Sequence, residues 1–291
     1  MIYHQVKEVA REEEVSISGV LSKLGLSKSG YYSFINREES KQKRRKRELS
    51  LEISQIHRES NEIYGAPKIT QLLKRKGYDV SEKYVGNIMR ELGIKAHYIK
   101  PYTKTTKDCD FSSQLKNVLN RDFSPNAPNA AWSSDITYVW TQEDGFVYLT
   151  SIMDLYSRKI ISWTLSRSMQ VDEVLKCLDT AKEQRDLENP IDIHSDRGSQ
   201  YTSAKYKELT AGMVTSYSDK GNPWDNACIE AFHAVIKREW LYRFTPDNYE
   251  HAYQLIFEYI EGFYNTNRIH SHCDYLSPNE YEKNAFSEKV A

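Results

Sequence analysis

The spacing of apolar residues near the start of the chain predicts two short helices. Apolar residues recur at helical spacing from Val15 to Leu24, and Gly25 follows as a helix-ending residue. Ser27 is placed to cap a second short helix that begins at Lys28. This pattern is typical of a helix-turn-helix unit, in which the second helix presents its N-terminal residues to the DNA bases, and Lys28 is then a candidate DNA contact. An ordinary helical hairpin fits the same pattern.

A second pair of helices is predicted over residues 62–96. An apolar helical stripe ends before Gly77, and Ser81 then begins another helix that Gly93 closes. The turn between the two helices again contains a glycine. This segment therefore repeats the helix-turn-helix pattern.

Between these pairs, residues 41–47 contain six cations in seven positions and open a long predicted helix. Such a run is usually a solvated helix face. It also suits non-specific contact with DNA phosphates, because binding there releases counterions. The candidate phosphate contacts are Lys43, Arg44, Arg45 and Arg47.

From residue 129 onwards the pattern becomes a mixture of strands and helices. The predicted strands are Ile136–Trp140, Phe146–Met153, Lys159–Leu165, Pro190–His194 and Met213–Tyr217. The predicted helices are Val171–Leu187, one around residues 203–211, and one that starts near Asn226. Periodicity alone therefore indicates an α/β class. Residues 97–128 have few apolar positions and two prolines near their end, which predicts a linker and a domain boundary near residue 125.

Charge is distributed unevenly along a chain whose net charge is only −1. Residues 1–107 hold 22 Lys and Arg against 13 Asp and Glu, whereas residues 108–291 hold 18 against 28. A basic half beside an acidic half is typical of a DNA-binding segment followed by a metal-dependent one. A hydrophobic content of 39%, with no long apolar run and a polar N-terminus, predicts an intracellular protein that lacks membrane spans and a signal peptide.

Three acidic residues each lie within a distinctive stretch of sequence. Asp135 follows Trp132-Ser133-Ser134, Asp196 lies in His194-Ser195-Asp196-Arg197-Gly198, and Glu230 ends the stretch 221–230. Carboxylate oxygens are the ligands of hard cations such as Mg²⁺, and paired Mg²⁺ ions suit phosphodiester chemistry. Taken singly, each residue is equally well explained as a strand end, a turn former or a solvated helix residue.

These stretches, together with Tyr64–Ile69 and Met89–Ile94, resemble the DDE transposases of bacterial insertion sequences, specifically the OrfB-type chains with a retroviral-integrase-like core. The resemblance implies a ribonuclease-H-like mixed sheet with flanking helices, preceded by all-α helix-turn-helix segments. It divides the chain into helix-turn-helix segments at 1–40 and 41–100, a linker at 101–128, a catalytic core at 129–240 and a C-terminal helical extension at 241–291. The 33 residues between Asp196 and Glu230 are slightly fewer than usual in that family.

The resemblance also implies the activity. Asp135, Asp196 and Glu230 would bind two Mg²⁺ ions, with Mn²⁺ as an alternative, cut DNA at the element ends and join the 3′ ends to another strand. Lys237, two helical turns after Glu230, would contact terminal DNA, and Asn226, one turn before it, would cap its helix or touch phosphate. Asp154 is a further acidic candidate, which we interpret as a strand-end residue.

Partners and location follow from the same resemblance. A homo-oligomer assembled on the element ends and target DNA is expected, with OrfA as a fused or separate partner, in the bacterial cytoplasm at the nucleoid. A DNA-binding regulator with an idle or partner-dependent core is the alternative.

Several residues outside the three acidic stretches have more than one interpretation. The four cysteines lack CxxC spacing and are expected to stay reduced. His270, His272 and Cys273 favour a polar turn over a metal site. Arg268 fits either a DNA contact or a salt bridge.

Overall fold

The computed structural model describes residues 2–13, 15–36, 39–97, 115–185, 190–219 and 222–288. They form two compact units, residues 1–54 and 55–291. Within the described residues, no helix combines the length and apolar character that a membrane span requires.

The first unit is all-helical. It contains α1 (Ile2–Glu12), α2 (Ile17–Lys23), α3 (Lys28–Ile35) and the first part of α4 (Lys41–Glu59). The two predicted helices and the Ser27 cap are confirmed, since Ser27 Oγ accepts a hydrogen bond from Gly30 N at 3.2 Å. Sequence reasoning missed α1. A Cβ at Gly30 would lie 2.8 Å from Tyr3 Oη, so the absence of a side chain at this helix-interior position lets α1 approach α3.

The second helical pair is also confirmed, as α5 (Ala66–Arg75) and α6 (Glu82–Glu91) in the larger unit. Ser81 Oγ caps α6 by accepting from Tyr84 N at 3.3 Å. Gly77 and Gly93 have φ values of +87° and +69°, the left-handed backbone that ends a helix most easily at glycine.

A five-stranded mixed sheet forms the centre of the larger unit. Its strands are β1 (Ala131–Thr141), β2 (Gly145–Asp154), β3 (Ile160–Ser166), β4 (Asp192–Ser195) and β5 (Val214–Tyr217). The strand order is β3-β2-β1-β4-β5, with β1 to β3 antiparallel and β4 and β5 parallel to β1. This arrangement with flanking helices is the ribonuclease-H-like fold that the resemblance implied.

Helices cover both faces of the sheet. Besides α5 and α6, the larger unit contains α7 (Val171–Glu183), α8 (Ser199–Thr202), α9 (Ala204–Leu209), α10 (Ala227–Ile236), α11 (Tyr242–Phe244), α12 (Tyr249–Phe257) and α13 (Pro278–Glu288). Short 3₁₀ turns lie at Pro223–Asn226 and Ser271–Cys273, and π-helical segments at Lys237–Leu241 and Glu258–Tyr264. Trp132 of β1 joins α7 in one buried cluster, whereas Ser133 faces α10. Successive β1 side chains therefore alternate between the two helical layers.

The structure corrects some predicted bounds. β1 begins at Ala131 rather than Ile136, because residues 131–133 pair with β4 and are buried on both faces, which hides the alternation that marks a strand. The helix around 203–211 is α9, and the short α8 precedes it. Ser203 separates the two, because its backbone is extended and its Oγ accepts from Tyr206 N. The predicted end of α7 at Leu187 lies outside the described residues.

Part of the predicted linker at 101–128 also lies outside the described residues. The part that is described packs against the sheet. Val118 N and Leu119 N both donate to Ser216 Oγ at 2.9 Å, and Arg121 pairs with Asp225 at 2.7 Å. Residues 115–128 therefore belong to the packed structure around β5.

Candidate active site

Parallel pairing of β1 with β4 brings Asp135 and Asp196 to neighbouring places. Ser133 lies opposite His194 in the parallel ladder. Asp135 and Asp196 each follow two residues later and therefore lie at neighbouring places. Asp135 is still within β1, whereas Asp196 follows the last residue of β4. The carboxyl ends of neighbouring parallel strands are a usual place for a functional site in such sheets.

Helix α10 is fixed to this part of the sheet by Asn226. The Asn226 side chain is 3% exposed, accepts a short hydrogen bond from Ser133 Oγ and donates to the backbone oxygen of Ser134 at 3.3 Å. It makes no capping hydrogen bond to its own helix, so the expected cap is wrong. The amide is used instead to join the start of α10 to β1, one turn before Glu230.

Glu230, His233 and Lys237 lie on one face of α10 and the segment after it, because His233 and Lys237 follow Glu230 by three and seven residues. His233 Nδ1 lies 3.3 Å from Asp135 Oδ2, and its Nε2 lies 3.3 Å from Ser151 Oγ on β2. Sequence reasoning missed His233, although its position three residues after Glu230 already placed it on the same face.

The three carboxylates interact electrostatically. Although Asp196 and Glu230 reach solvent, the surrounding protein partly desolvates their carboxyl groups. Burial and then the nearby Asp135 raise the pKa of Asp196 to about 6. Burial, followed by Asp135 and Asp196, raises the pKa of Glu230 to about 7. A carboxylate raises the pKa of a neighbouring carboxyl group only at close range. These shifts therefore indicate that Asp135, Asp196 and Glu230 lie near one another.

The carboxylates are not arranged as a closed metal cage. In the part of the chain that the structure describes, no three His, Cys, Asp or Glu side chains stand in position to hold one ion. The three groups form an acidic cluster whose charges interact unfavourably.

The loop after β4 orients the Asp196 carboxylate. Asp196 Oδ1 accepts a hydrogen bond from Gly198 N at 2.8 Å. A Cβ on Gly198 would lie 2.9 Å from the same oxygen, so the backbone approaches the carboxylate more closely than a side chain at this position would allow. His194 supports the strand beneath, with its ring nitrogens 2.8 Å and 3.1 Å from the hydroxyls of Ser216 and Ser218.

Lys237 lies beside the acidic cluster and is half-buried. Its Nζ donates to Thr137 Oγ1 at 2.6 Å and lies 4.7 Å from the centre of the Tyr138 ring. Burial lowers the pKa of Lys237 to about 8, although the nearby Asp135 carboxylate partly opposes that shift. Lys237 is therefore not the fully solvated side chain that would be expected of a surface lysine.

The other predicted DNA contacts lie in the first unit. Lys28 is the first residue of α3 and is exposed. The basic residues at the start of α4 are also exposed, and Arg47 pairs with Glu39 at 2.9 Å. Their positions agree with a surface role, but their contact with DNA remains a prediction.

Arg268, His270 and His272, for which the sequence left two roles open, make contacts within the protein. Arg268 is 7% exposed and forms two hydrogen bonds to Glu239, at 2.9 Å and 2.8 Å, which identifies a buried salt bridge. The Nε2 atom of His270 lies 3.1 Å from Arg268 Nη1, and that of His272 lies 3.0 Å from Tyr156 O, in agreement with the predicted polar turn.

Asp154 and the cysteines are likewise structural where they are described. Asp154 is fully buried and accepts from the backbone of Asn129 and Tyr156, as expected of a strand-end residue. The described cysteines are free thiols at positions 177, 228 and 273, and Cys109 lies outside the described residues.

Sequence relatives identify the family. The family models described as "Integrase core domain" and "HTH-like domain" match residues 125–223 and 43–102. A second family model described as "Integrase core domain" matches residues 211–278. The transposase for insertion sequence element IS904 of Lactococcus lactis is 37% identical over 86% of this chain and 99% of its own length. Transposase InsF for insertion sequence IS3A of Escherichia coli K12 is 32% identical over 93% of this chain and 95% of its own length. The chain belongs to this family of insertion-sequence transposases with an integrase core.

Solved structures of viral integrases are more distant. A simian T-cell lymphotropic virus intasome chain covers 79% of this chain and 74% of its own length at 16% identity, with a TM-score of 0.45. The HTLV-2 integrase catalytic core domain in complex with magnesium covers 54% of this chain and 98% of its own length at 15% identity, with a TM-score of 0.42.

Proposed function

We propose that this transposase-family chain cleaves DNA at the ends of its element and joins the freed 3′ ends to another strand by metal-dependent phosphodiester chemistry. The observation that carries the proposal is the cluster of Asp135, Asp196 and Glu230. Two of these carboxyl groups have raised pKa values because the surrounding protein partly desolvates them and further carboxylates lie nearby. A cluster that destabilises its own charge is suited to a cation.

The donor set fits Mg²⁺. All three side chains offer hard oxygen ligands, and Mg²⁺ is usually bound by only one or two protein carboxylates together with water and phosphate oxygens. Two Mg²⁺ ions, or Mn²⁺ in their place, would stabilise the attacking and the leaving oxygen of an in-line displacement. We assign the ligand role to Asp135, Asp196 and Glu230 together.

Neighbouring residues would hold these ligands in place. The Gly198 amide orients Asp196 by its hydrogen bond, and His233 contacts Asp135. Asn226 fixes the helix that carries Glu230, so we assign it a positioning role rather than a direct contact with DNA. Lys237, beside Asp135, would bind a phosphate close to the reacting bond.

DNA recognition outside the site is assigned to the helical segments. We assign Lys28, the first residue of α3, as a helix-turn-helix base contact, and the exposed residues Lys43, Arg44, Arg45 and Arg47 as phosphate contacts. Assembly of several copies on DNA, a role for OrfA and a nucleoid location belong to the same proposal. The segment boundaries at residues 40, 100 and 240 belong to the same proposal, whereas residues 115–128 pack around β5 and are counted with the core rather than with the linker.

The test is a reaction with labelled duplex that carries the inverted repeats flanking the gene. Mg²⁺, Ca²⁺ and an Asp196→Asn variant are run in parallel with the purified chain. We expect cleaved and joined strands with Mg²⁺ and none with the variant, which should still bind the DNA. Specific binding without cleavage by the wild-type chain, even with OrfA added, would favour the DNA-binding regulator instead.

A further inference from the structure

A group of exposed aromatic side chains lies at the turn end of the β1–β2 hairpin. Tyr138, Trp140 and Phe146 are 51%, 55% and 50% exposed. The Phe146 ring centre lies 5.3 Å from that of Tyr138 and 4.8 Å from that of Trp140, with the rings edge to face in both pairs. Large aromatic groups that remain exposed as a cluster usually mark an interaction site.

These three residues form one wall of a cleft of about 220 Å³. The residues that line it are Tyr138, Val139, Trp140, Phe146, Lys237, Leu241, Tyr242, Thr245 and Pro246. Lys237 carries the charge in this lining, and none of the lining residues is acidic. The cleft therefore combines flat apolar surfaces with one cation.

Lys237 connects the cleft with the acidic cluster. Among the described residues, β4 pairs with β1 only at positions 131–133, so the edge of β1 beyond them is open on this side. Lys237 bridges this edge, since its Nζ contacts both Thr137 and Tyr138 while its charge interacts with Asp135. Tyr138 lies three residues after Asp135, about 10 Å along the strand. Because they are an odd number of positions apart, Asp135 and Tyr138 project from opposite faces of β1, and Lys237 at the strand edge connects the two.

Charge and shape select the occupant. A ligand that places a flat ring against aromatic side chains and an anion against Lys237 has the chemistry of a nucleotide. Bases stack on aromatic side chains without regard to sequence, because every base has a π-face. A cleft of this volume admits a single base and not a double helix, so the base must first leave its pair.

We propose that this aromatic cleft binds one unpaired base of the DNA strand that reacts at the carboxylate cluster, with the adjoining phosphate held by Lys237. The inference rests on the proposed function, because it places the reacting strand at Asp135, Asp196 and Glu230. It adds that the DNA end is opened locally and that the freed base is held by the protein.

The experiment is a double-mutant cycle between protein and DNA, measured as binding in Ca²⁺ so that cleavage is not required. Element ends are prepared with a single abasic nucleotide at each of the first positions beside the cleavage site. They are compared for the wild-type chain, Trp140→Ala and Phe146→Ala. Phe257→Ala is the matched control, since Phe257 is 51% exposed on α12 and does not line the cleft.

We expect one abasic position to weaken wild-type binding by about 5- to 150-fold, the factor that corresponds to base–aromatic stacking. The same position should have little further effect on Trp140→Ala and Phe146→Ala, whereas Phe257→Ala should behave like the wild type. Mismatching that base pair should strengthen wild-type binding, because the base no longer has to be unpaired. Unchanged melting temperatures of the variants exclude misfolding as the cause.

Three results overturn the inference, and the first two separate it from the proposed function. Wild-type cleavage with equal abasic effects in all variants would reject the cleft as a base site and leave the transposase chemistry intact. A dimer that Trp140→Ala converts to a monomer without DNA, again without coupling to any base, would assign the cleft to contact between copies of the chain. Absence of both end binding and cleavage in the wild type would reject both proposals.

Discussion

His233 Nδ1 lies 3.3 Å from Asp135 Oδ2, although the two atoms are not aligned for a hydrogen bond. Asp135 is directly opposite Ser151 in the β1–β2 ladder, and His233 Nε2 reaches the Ser151 hydroxyl. One buried side chain from α10 thus contacts a cross-strand pair. This contact restricts the position of Asp135 relative to Glu230, which lies one turn earlier on the same helix.

Replacing His233 should weaken metal binding more than it weakens folding. Loss of a residue that orients a metal ligand commonly costs about 10- to 100-fold in affinity, and we expect this range for His233→Ala in a titration with Mn²⁺. His251→Ala is a suitable control, because His251 on α12 contacts Asp247, which precedes that helix. Wild-type affinity in a folded His233→Ala variant would show that Asp135 needs no such support.

The close approach of Gly198 to Asp196 predicts an effect from a single added methyl group. In Gly198→Ala the Cβ would lie 2.9 Å from Asp196 Oδ1, so the carboxylate or the loop must move. We expect reduced Mg²⁺-dependent cleavage at nearly unchanged thermal stability. Gly262→Ala is the matched control, because a Cβ there meets no atom within 4 Å. Equal activity of both variants would contradict an orienting role for the loop.

The buried pair of Glu239 and Arg268 should stabilise the fold only as a pair. Burial alone would raise the pKa of Glu239, but Arg268 and hydrogen bonds outweigh it and hold that pKa below its usual value. Arg268→Leu leaves a buried carboxylate without its partner, which typically costs about 3–5 kcal/mol, measured as the free energy of unfolding in urea. Adding Glu239→Gln should recover part of this loss, because the amide can still accept from Tyr259.

The same pair predicts the direction of a pH effect. A carboxyl group whose pKa is lowered by folding contributes stability above its unfolded pKa and loses it as pH falls through the folded value. The wild-type chain should therefore lose stability on acidification more steeply than Glu239→Gln. Parallel unfolding curves for the two proteins across the acidic range would show that Glu239 does not contribute in this way.

The basic start of α4 predicts a salt-dependent contribution to DNA binding. Each phosphate contact that is removed should lower the slope of log affinity against log salt by about one. Replacing Lys43, Arg44, Arg45 and Arg47 by alanine should therefore reduce the slope by up to about four, on specific and non-specific duplex alike. An unchanged slope would show that this stretch is an ordinary solvated helix face without phosphate contacts.

Local patterns were sufficient for most helices and strands, as well as for the caps at Ser27 and Ser81. They missed α1, although its apolar residues recur at helical spacing and Val6 and Ala10 are buried. They also shortened β1, because strand residues buried on both faces show no alternation. The ribonuclease-H-like arrangement came from resemblance, since periodicity does not specify which strands pair.

The acidic cluster was predictable in membership but not in its surroundings. Spacing placed Glu230 and Lys237 on one helical face, yet nothing local indicated that His233 would meet Asp135 across the sheet. The burial of Asn226 against β1, and the pairing of Arg268 with Glu239, depend on contacts between distant segments. Such contacts are set by packing, which a single sequence does not reveal.

The most direct test of the central claim is the cleavage rate of element-end duplex after each carboxylate is neutralised separately. Asp135→Asn, Asp196→Asn and Glu230→Gln are compared with Asp172→Asn, whose exposed side chain pairs with Lys205 on the surface. We predict that each of the three variants loses Mg²⁺-dependent cleavage while still binding the duplex, and that Asp172→Asn cleaves like the wild type. Wild-type cleavage by any of the three would contradict their assignment as one metal-binding set.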